Sequence, residues 1–189
     1  MNTPAHMLLG AALFGRSGQA RLIWAAVLGA LAPDASLYVM AGVSLFVLNI
    51  PPQVVFDELY FSDSWQTVFA IDNSVFLWGL LLAIAWWRRW PAGLAFAGAG
   101  MLHLALDFPL HAGDGRRHFW PLSDWVYVSP VSYWDSAHHA IWVAPVTVAI
   151  CLVAYAVMWR ARIHPVALTA FGALLLAELW VLRQWILFF

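Results

Sequence analysis

The sequence predicts an all-α fold, a polytopic membrane helical bundle with five to six apolar segments. Three observations carry that reading. Of 189 residues, 63% are hydrophobic and 10% are charged, with a mean hydropathy of +0.77. A soluble domain of that length has too little interior to hide so much apolar surface. The apolar residues fall into runs at about 4–15, 22–48, 73–87, 91–107, 138–159 and 165–188. The basic residues, all of them Arg, gather mainly in the short gaps between alternate runs. No repeat or low-complexity tract divides the chain, so residues 1–189 read as a single integral membrane domain.

Each run has its own logic. The run at 4–15 is too short for a hydrocarbon core of roughly 30 Å and reads either as a half-helix or as a helix that starts above the membrane. The opening "MNTPAHMLLG" has no basic n-region, so it reads as a mature first segment and not as a cleaved signal peptide. The run at 22–48 is long enough to span, but Pro33 within "APDAS" predicts a helix that kinks or ends there. The runs at 73–87 and 91–107 are separated by Arg88 and Arg89, and those at 138–159 and 165–188 by Arg160 and Arg162. With Arg16 and Arg21, these pairs mark three short loops on one side of the bundle. The positive-inside rule makes that side cytoplasmic. The polar stretches 49–72 and 108–137 then face outward. Trp86, Trp87, Trp90 and Trp159 fit an inner aromatic belt, and Trp120, Trp125 and Trp134 an outer one.

Composition also excludes functions. A net charge of −1 argues against a nucleic-acid partner. The single Cys151, in an apolar run, supports neither a disulfide framework nor a zinc finger.

The informative residues are the polar ones in apolar surroundings. Asp34 lies 13 residues after Arg21, His103 lies 14 after Arg89, and Asn73 lies 15 before Arg88. Glu178 lies 16 after Arg162, and His6 lies 10 before Arg16. At about 1.5 Å per residue most of these sit some 20 Å from the basic face, in one layer. A charge at such depth costs roughly 2.5–3.5 kcal/mol on insertion scales and marks a functional cavity. His103 and Asp107, one helical turn apart, share a face and are both competent metal ligands. Pro109 stops the helix, and His111 and His118 follow, with Asp114, Asp124 and Asp135 nearby; His138 and His139 open the next helix. Plainer readings stand beside these. The His103–Asp107 spacing also fits a structural hydrogen bond. Asp34 fits a helix cap, Glu178 an ion pair with Arg183, and His164 an interfacial position. Arg116 and Arg117 fit either a solvated loop pair or a clamp for an anion.

On three stretches the chain resembles the YdjM-type inner-membrane proteins, a family described as metal-dependent hydrolases. They are "PAHMLLGAALFG", "GALAPDASLY" and "HLALDFPLHAGD", and the likeness covers about residues 1–40 and 70–140. The resemblance implies His6, Asp34, His103 and Asp107 as metal-site positions in a bacterial inner membrane. It also carries a departure. Where the family usually has Thr-His-Ser, this chain has Asp72-Asn73-Ser74, which replaces a good transition-metal ligand with a poor one. More distantly, the ligand order is similar to that of zinc-dependent phospholipase C and single-strand nucleases, all-helical phosphodiesterases with a trinuclear zinc site. Their late His-x-x-x-Glu pair is only partly met, since no Glu follows His138 or His139 at that spacing.

The expectation is a multi-pass hydrolase using a divalent metal, Zn or Mn, on a phosphoester at the periplasmic face. His6, Asp34, His103 and Asp107 are its expected ligands, with His111, His118 or His138 completing the site. Asp34, His103 and Asp107 are the expected catalytic groups. Asn73, Arg116 and Arg117 are the expected substrate contacts, and membrane lipid is the expected substrate or partner. The alternative is a non-catalytic scaffold with a degenerate metal site, docking a membrane protein through 108–137. The expected orientation is testable by thiol labelling in a Cys151→Ala background. A Cys at position 123 should react with an impermeant reagent on intact cells, and one at position 162 only after permeabilisation. Labelling of position 162 from outside would reverse the assignment.

Overall fold

The computed structural model describes residues 1–188, whose regular elements are all helices; among them the one β feature is an isolated bridge, Arg16 to Gln19. Its helices are α1 (Thr3–Phe14), α2 (Ala20–Gly42), the single turn α3 (Pro52–Val54), α4 (Asp63–Asp72), α5 (Val75–Trp87), α6 (Pro91–Asp107), α7 (Ala140–Arg160) and α8 (Pro165–Phe188). Among the described residues five helical spans are long and apolar enough to cross a membrane: Ala20–Val47, Asp63–Trp87, Pro91–Leu110, Ala140–Arg160 and Pro165–Phe188. The protein is therefore a membrane-embedded helical bundle.

Helix α1 is the hub. Pro4 starts it, where a missing N–H costs nothing, and the Gly15 N–H closes it on the Ala11 carbonyl at 2.9 Å. Its 12 residues cover about 18 Å, half a bilayer. It packs against α2, α6, α7 and α8, so its buried residues lie all around it. Leu8 and Leu9 share one hydrophobic cluster with Cys151, Ala154 and Met158 of α7 and Phe171 and Leu175 of α8.

The opposite side of α1 meets α2 and α6 through small residues. A Cβ placed on Gly10 would lie 3.0 Å from the Ala30 Cβ and 3.2 Å from the Ala99 Cβ. A Cβ on Gly29 would lie 2.0 Å from the Phe96 carbonyl oxygen. Ala26 and Ala95 complete this seam. Small side chains let helix backbones approach closely where lipid removes the hydrophobic drive for association.

Three local readings change. Helix α2 runs through Pro33 to Gly42 and continues as a wider π-turn over Val43–Val47, so it does not end at the proline. Tertiary packing on both sides of Pro33, which is itself buried, outweighs the lost hydrogen bond. Asp34 consequently sits inside a helix and caps nothing. The polar stretch 49–72 contains α3, a π-turn at Val55–Leu59, and α4, and its second half belongs to a candidate span and not to an outward-facing segment. Ser62 caps α4 by accepting from the Trp65 N–H, and Ser74 caps α5 by accepting from the Leu77 N–H. Together α4 and α5 make the span that 73–87 alone is too short to provide.

The stretch 108–137 folds back over the ends of α5 and α6. His118 accepts from the Val75 N–H at 2.9 Å, His111 from the Ser129 N–H at 3.0 Å, and Leu110 from the Tyr133 N–H at 3.1 Å. Phe108 stacks on Tyr127 with ring centroids 4.8 Å apart.

The seam makes a quantitative forecast. Gly29→Ala should destabilise detergent-solubilised protein by about 1–3 kcal/mol, because the Phe96 backbone has nowhere to go. Gly42→Ala, with open space around it, should be neutral or stabilise by up to about 1 kcal/mol. Thermal melts of the two variants compare them directly, and equal melting temperatures would refute the close-contact account.

Candidate metal centre

One helical turn beyond the Gly10–Ala30–Ala99 contact, the same helices present His6, Asp34 and His103. A further turn along α6 brings Asp107, and the short 3₁₀ turn Phe108–Leu110 delivers His111. The imidazoles of His6 and His103 stack at 3.7 Å with 14° between planes. Asp107 is the centre of the group. Its Oδ1 lies 2.9 Å from His6 Nε2 and also meets the ammonium of Met1. Its Oδ2 lies 3.3 Å from both His103 Nε2 and His111 Nε2. Asp34 Oδ1 is 3.6 Å from His103 Nε2. His6, His103, Asp107 and His111 are buried, and Asp34 keeps 18% of its side chain exposed.

Hydrogen bonds orient these groups. His103 donates from Nδ1 to the Ala30 carbonyl at 2.7 Å, which leaves its Nε2 facing the two carboxylates without a hydrogen bond. An outer-shell bond of this kind sets which imidazole nitrogen is free to bind a metal. Asp34 accepts from Thr3 Oγ1 at 2.5 Å, and Tyr38 in turn donates to that hydroxyl at 2.8 Å. His111 Nδ1 is 2.9 Å from Asp114 Oδ2, which also accepts from the Trp134 indole at 2.8 Å. Burial opposes charge on His111, but Asp107 and Asp114 outweigh it and raise its pKa. Burial likewise opposes charge on Asp114, yet His111 holds its pKa below the usual carboxylate value.

The residues fit a divalent metal. His103 Nε2 and His111 Nε2 are buried and lack a geometrically sound hydrogen bond, as does His6 Nδ1. A ligand atom from each of His6, His103 and Asp107 lies within 4.8 Å of the others. Imidazole nitrogens facing carboxylate oxygens need either a proton or a cation between them. The mixed nitrogen and oxygen donor set suits Zn²⁺ or Mn²⁺.

A cavity of about 540 Å³ opens above this cluster. Asp34, Asp107, His111, Asp114, Arg116 and Glu178 line it, with Leu37, Tyr38, Phe56, Tyr60, Phe61, Tyr133 and Val181. Arg116 is buried, its guanidinium 4.2 Å from the ring of Phe69 and 4.9 Å from that of Tyr60. Its NH1 atom is buried without a partner.

The other sequence-selected residues lie elsewhere. Arg117 does not line the cavity and sits 3.6 Å from Asp124 and 3.9 Å from Asp63. Asn73 ends α4, and its side-chain amide donates to the Pro33 carbonyl at 3.2 Å and the Phe69 carbonyl at 3.0 Å. His118 donates from Nδ1 to the Asn73 carbonyl at 3.0 Å, and burial lowers its pKa. His138, half exposed, bonds Asp135 at 2.7 Å. Glu178 is not paired with Arg183: it accepts from Asn2 at 3.0 Å, while Arg183 lies over Trp180. Asp114 is the residue that sequence reasoning undervalued. Its signal was the three-residue spacing from His111, which a sharp turn after Pro109 can close onto one pair.

Comparison with protein-family models, with curated proteins and with solved structures found no match to this chain.

The placements of Asn73 and Arg117 predict different losses. Asn73→Ala removes two buried hydrogen bonds and should cost about 1–3 kcal/mol. Arg117→Ala, at a solvated ion pair, should cost about 0.5 kcal/mol or less. Equal melting temperatures for the two variants would mean that Asn73 does not brace the α4 end against α2.

Proposed function

We propose that the protein is a membrane-bound, metal-dependent hydrolase that cleaves a phosphoester of a membrane lipid. The observation behind this reading is the cluster of buried imidazoles around Asp107, with His103 Nε2 and His111 Nε2 lacking a hydrogen bond, beneath a cavity that Asp34, Asp107, His111 and Arg116 line. His6, His103 and Asp107 would hold a Zn²⁺ or Mn²⁺ ion, with Asp34 and His111 completing its surroundings. Such an ion supplies a water acidified toward neutral pH and a Lewis acid for a phosphoryl oxygen.

The chain's own residues do the rest. Asp34, the most exposed of the carboxylates around His103, faces the cavity and can accept a proton from an attacking water at Oδ1. Arg116, which lines the cavity, would offer a charge-assisted donor to a phosphoryl oxygen, and its contacts with the rings of Phe69 and Tyr60 hold its guanidinium in place. Leu37, Phe56, Phe61 and Val181 give the cavity an apolar side on which the alkyl part of a lipid can rest. Asn73, Arg117, His118 and His138 have no direct part in this reading. The Arg-bearing loops would face the cytoplasm of a bacterial inner membrane, and the site the periplasm.

A second reading, a non-catalytic scaffold, draws support from Asn73, which stands as a brace where the resembled family has a histidine. Metal content separates the two. Purified wild-type protein should retain Zn or Mn and hydrolyse a phosphodiester in a chelator-sensitive manner. Metal at a hundredfold excess over Kd should add about 2.7 kcal/mol of stability. His103→Ala should lose both the bound metal and the metal-dependent rise in melting temperature, while Asn73→Ala should keep that rise. Metal-free protein that melts identically with and without chelator would instead leave the histidine–aspartate cluster as a structural core.

A further inference from the structure

The second chemical feature of the molecule lies at its other end. Arg16, Arg21, Arg88, Arg89, Arg160 and Arg162 flank the α1–α2, α5–α6 and α7–α8 turns. Strict up-and-down alternation of the spans puts those turns on one face. A hydrogen bond from Ser17 Oγ to the Arg162 carbonyl, 3.1 Å long, ties two of them together. None of the chain's ten carboxylates lies in these turns. Among the described residues none of these six guanidiniums is within 4.0 Å of a carboxylate; Arg117 alone of the arginines is. The face is thus a block of uncompensated positive charge, while every acid sits deeper or at the opposite end.

At the α5–α6 turn the charge has a shape. Ile84, Trp87, Arg88, Arg89, Trp90 and Pro91 line an open groove of about 740 Å³. Arg88 lies 5.9 Å from the centroid of the Trp87 ring. Trp87 is 80% exposed and Trp90 51% exposed, which suits the headgroup depth of a bilayer better than water. Arginine offers forked donors matched to phosphate oxygens, and its planar head stacks on indole. The basic face contains no lysine, which would act as a point charge alone.

We propose that this groove binds the phosphodiester headgroup of an anionic phospholipid. Arg88 and Arg89 hold the phosphate, Trp87 and Trp90 flank the glycerol, and the acyl chains run down the apolar flank of α5 past Ile84. The proposal is independent of the metal centre, since it uses no residue of that site.

The test is a thermal-shift titration of detergent-purified full-length protein with mixed micelles of phosphatidylglycerol or of phosphatidylcholine, and with inorganic phosphate. Phosphatidylglycerol should raise the melting temperature saturably, and phosphatidylcholine at equal concentration should not. Arg88→Gln with Arg89→Gln should weaken the apparent affinity by about fivefold per arginine, roughly thirtyfold for the pair, the scale expected for a basic side chain at an anionic headgroup surface. Arg160→Gln should leave that affinity within about threefold, as expected of a charge outside the groove. The double variant's melting temperature in phosphatidylcholine should equal wild type, which separates lost binding from lost folding. Equal shifts from both lipids would overturn the proposal, as would a double variant that keeps the wild-type preference. Inorganic phosphate reproducing the shift would replace the lipid with a soluble anion.

Discussion

The close approach of α1, α2 and α6 is the constraint on which the rest of the molecule depends. Gly10, Ala30 and Ala99 leave the three backbones almost in contact, and Gly29 lets α2 reach the Phe96 carbonyl. Helices that meet this tightly cannot slide or rotate without collision. The register of α1, α2 and α6 is therefore set below the site, by residues with no chemistry of their own. His6, Asp34 and His103 stand one turn further along the same three helices, so the seam delivers their side chains to a common point. A bundle packed through large residues at the same positions would hold its helices farther apart and would separate the histidine rings, which here stack at 3.7 Å.

A second layer converts that convergence into a shaped site. The 108–137 stretch is fastened to the start of α5 by the Val75 N–H on the His118 carbonyl and the Ser74 hydroxyl on the Trp120 carbonyl, and is folded on itself by backbone bonds from Ser129 and Tyr133. Those bonds turn His111 inward and His118 toward Asn73. Asn73 in turn bridges the end of α4 to the Pro33 carbonyl, next to Asp34. The proline that removes a helix hydrogen bond in α2 thus borders the point where a neighbouring helix is braced. The residue that departs from the resembled family's pattern has a structural function of its own.

Charge is distributed as unevenly as shape. Carboxylates and histidines gather at one end around the cavity, and six arginines cluster at the other without an acidic partner. The buried carboxylate end is costly to leave unneutralised, whereas the arginine end is exposed and open to anions. Cations suit the first end and lipid phosphates the second. The proposed metal and headgroup sites thus meet opposite charges at the two ends of the bundle.

The sequence by itself determined the class of the molecule, because hydropathy and arginine placement are additive properties that folding does not rearrange. It also placed Asp34, Asn73, His103 and Glu178 at a similar depth, because rise per residue is constant along a helix whatever it packs against. Asp107 followed from His103 by the period of the helix. Depth says nothing about azimuth, and the tertiary structure decided the rest. Arg116 and Arg117 are neighbours in sequence, yet one is buried against Phe69 and Tyr60 and the other lies among Asp63 and Asp124. His111, His118 and His138 were equivalent candidates on spacing. The backbone path of an irregular loop brought the first to Asp107 and turned the others to Asn73 and Asp135. Glu178 met Asn2 and not Arg183, because the side chain facing the bundle finds its partner at the N-cap of α1 and the one facing outward finds Trp180. Such choices depend on contacts between residues far apart in the chain, which no local period encodes.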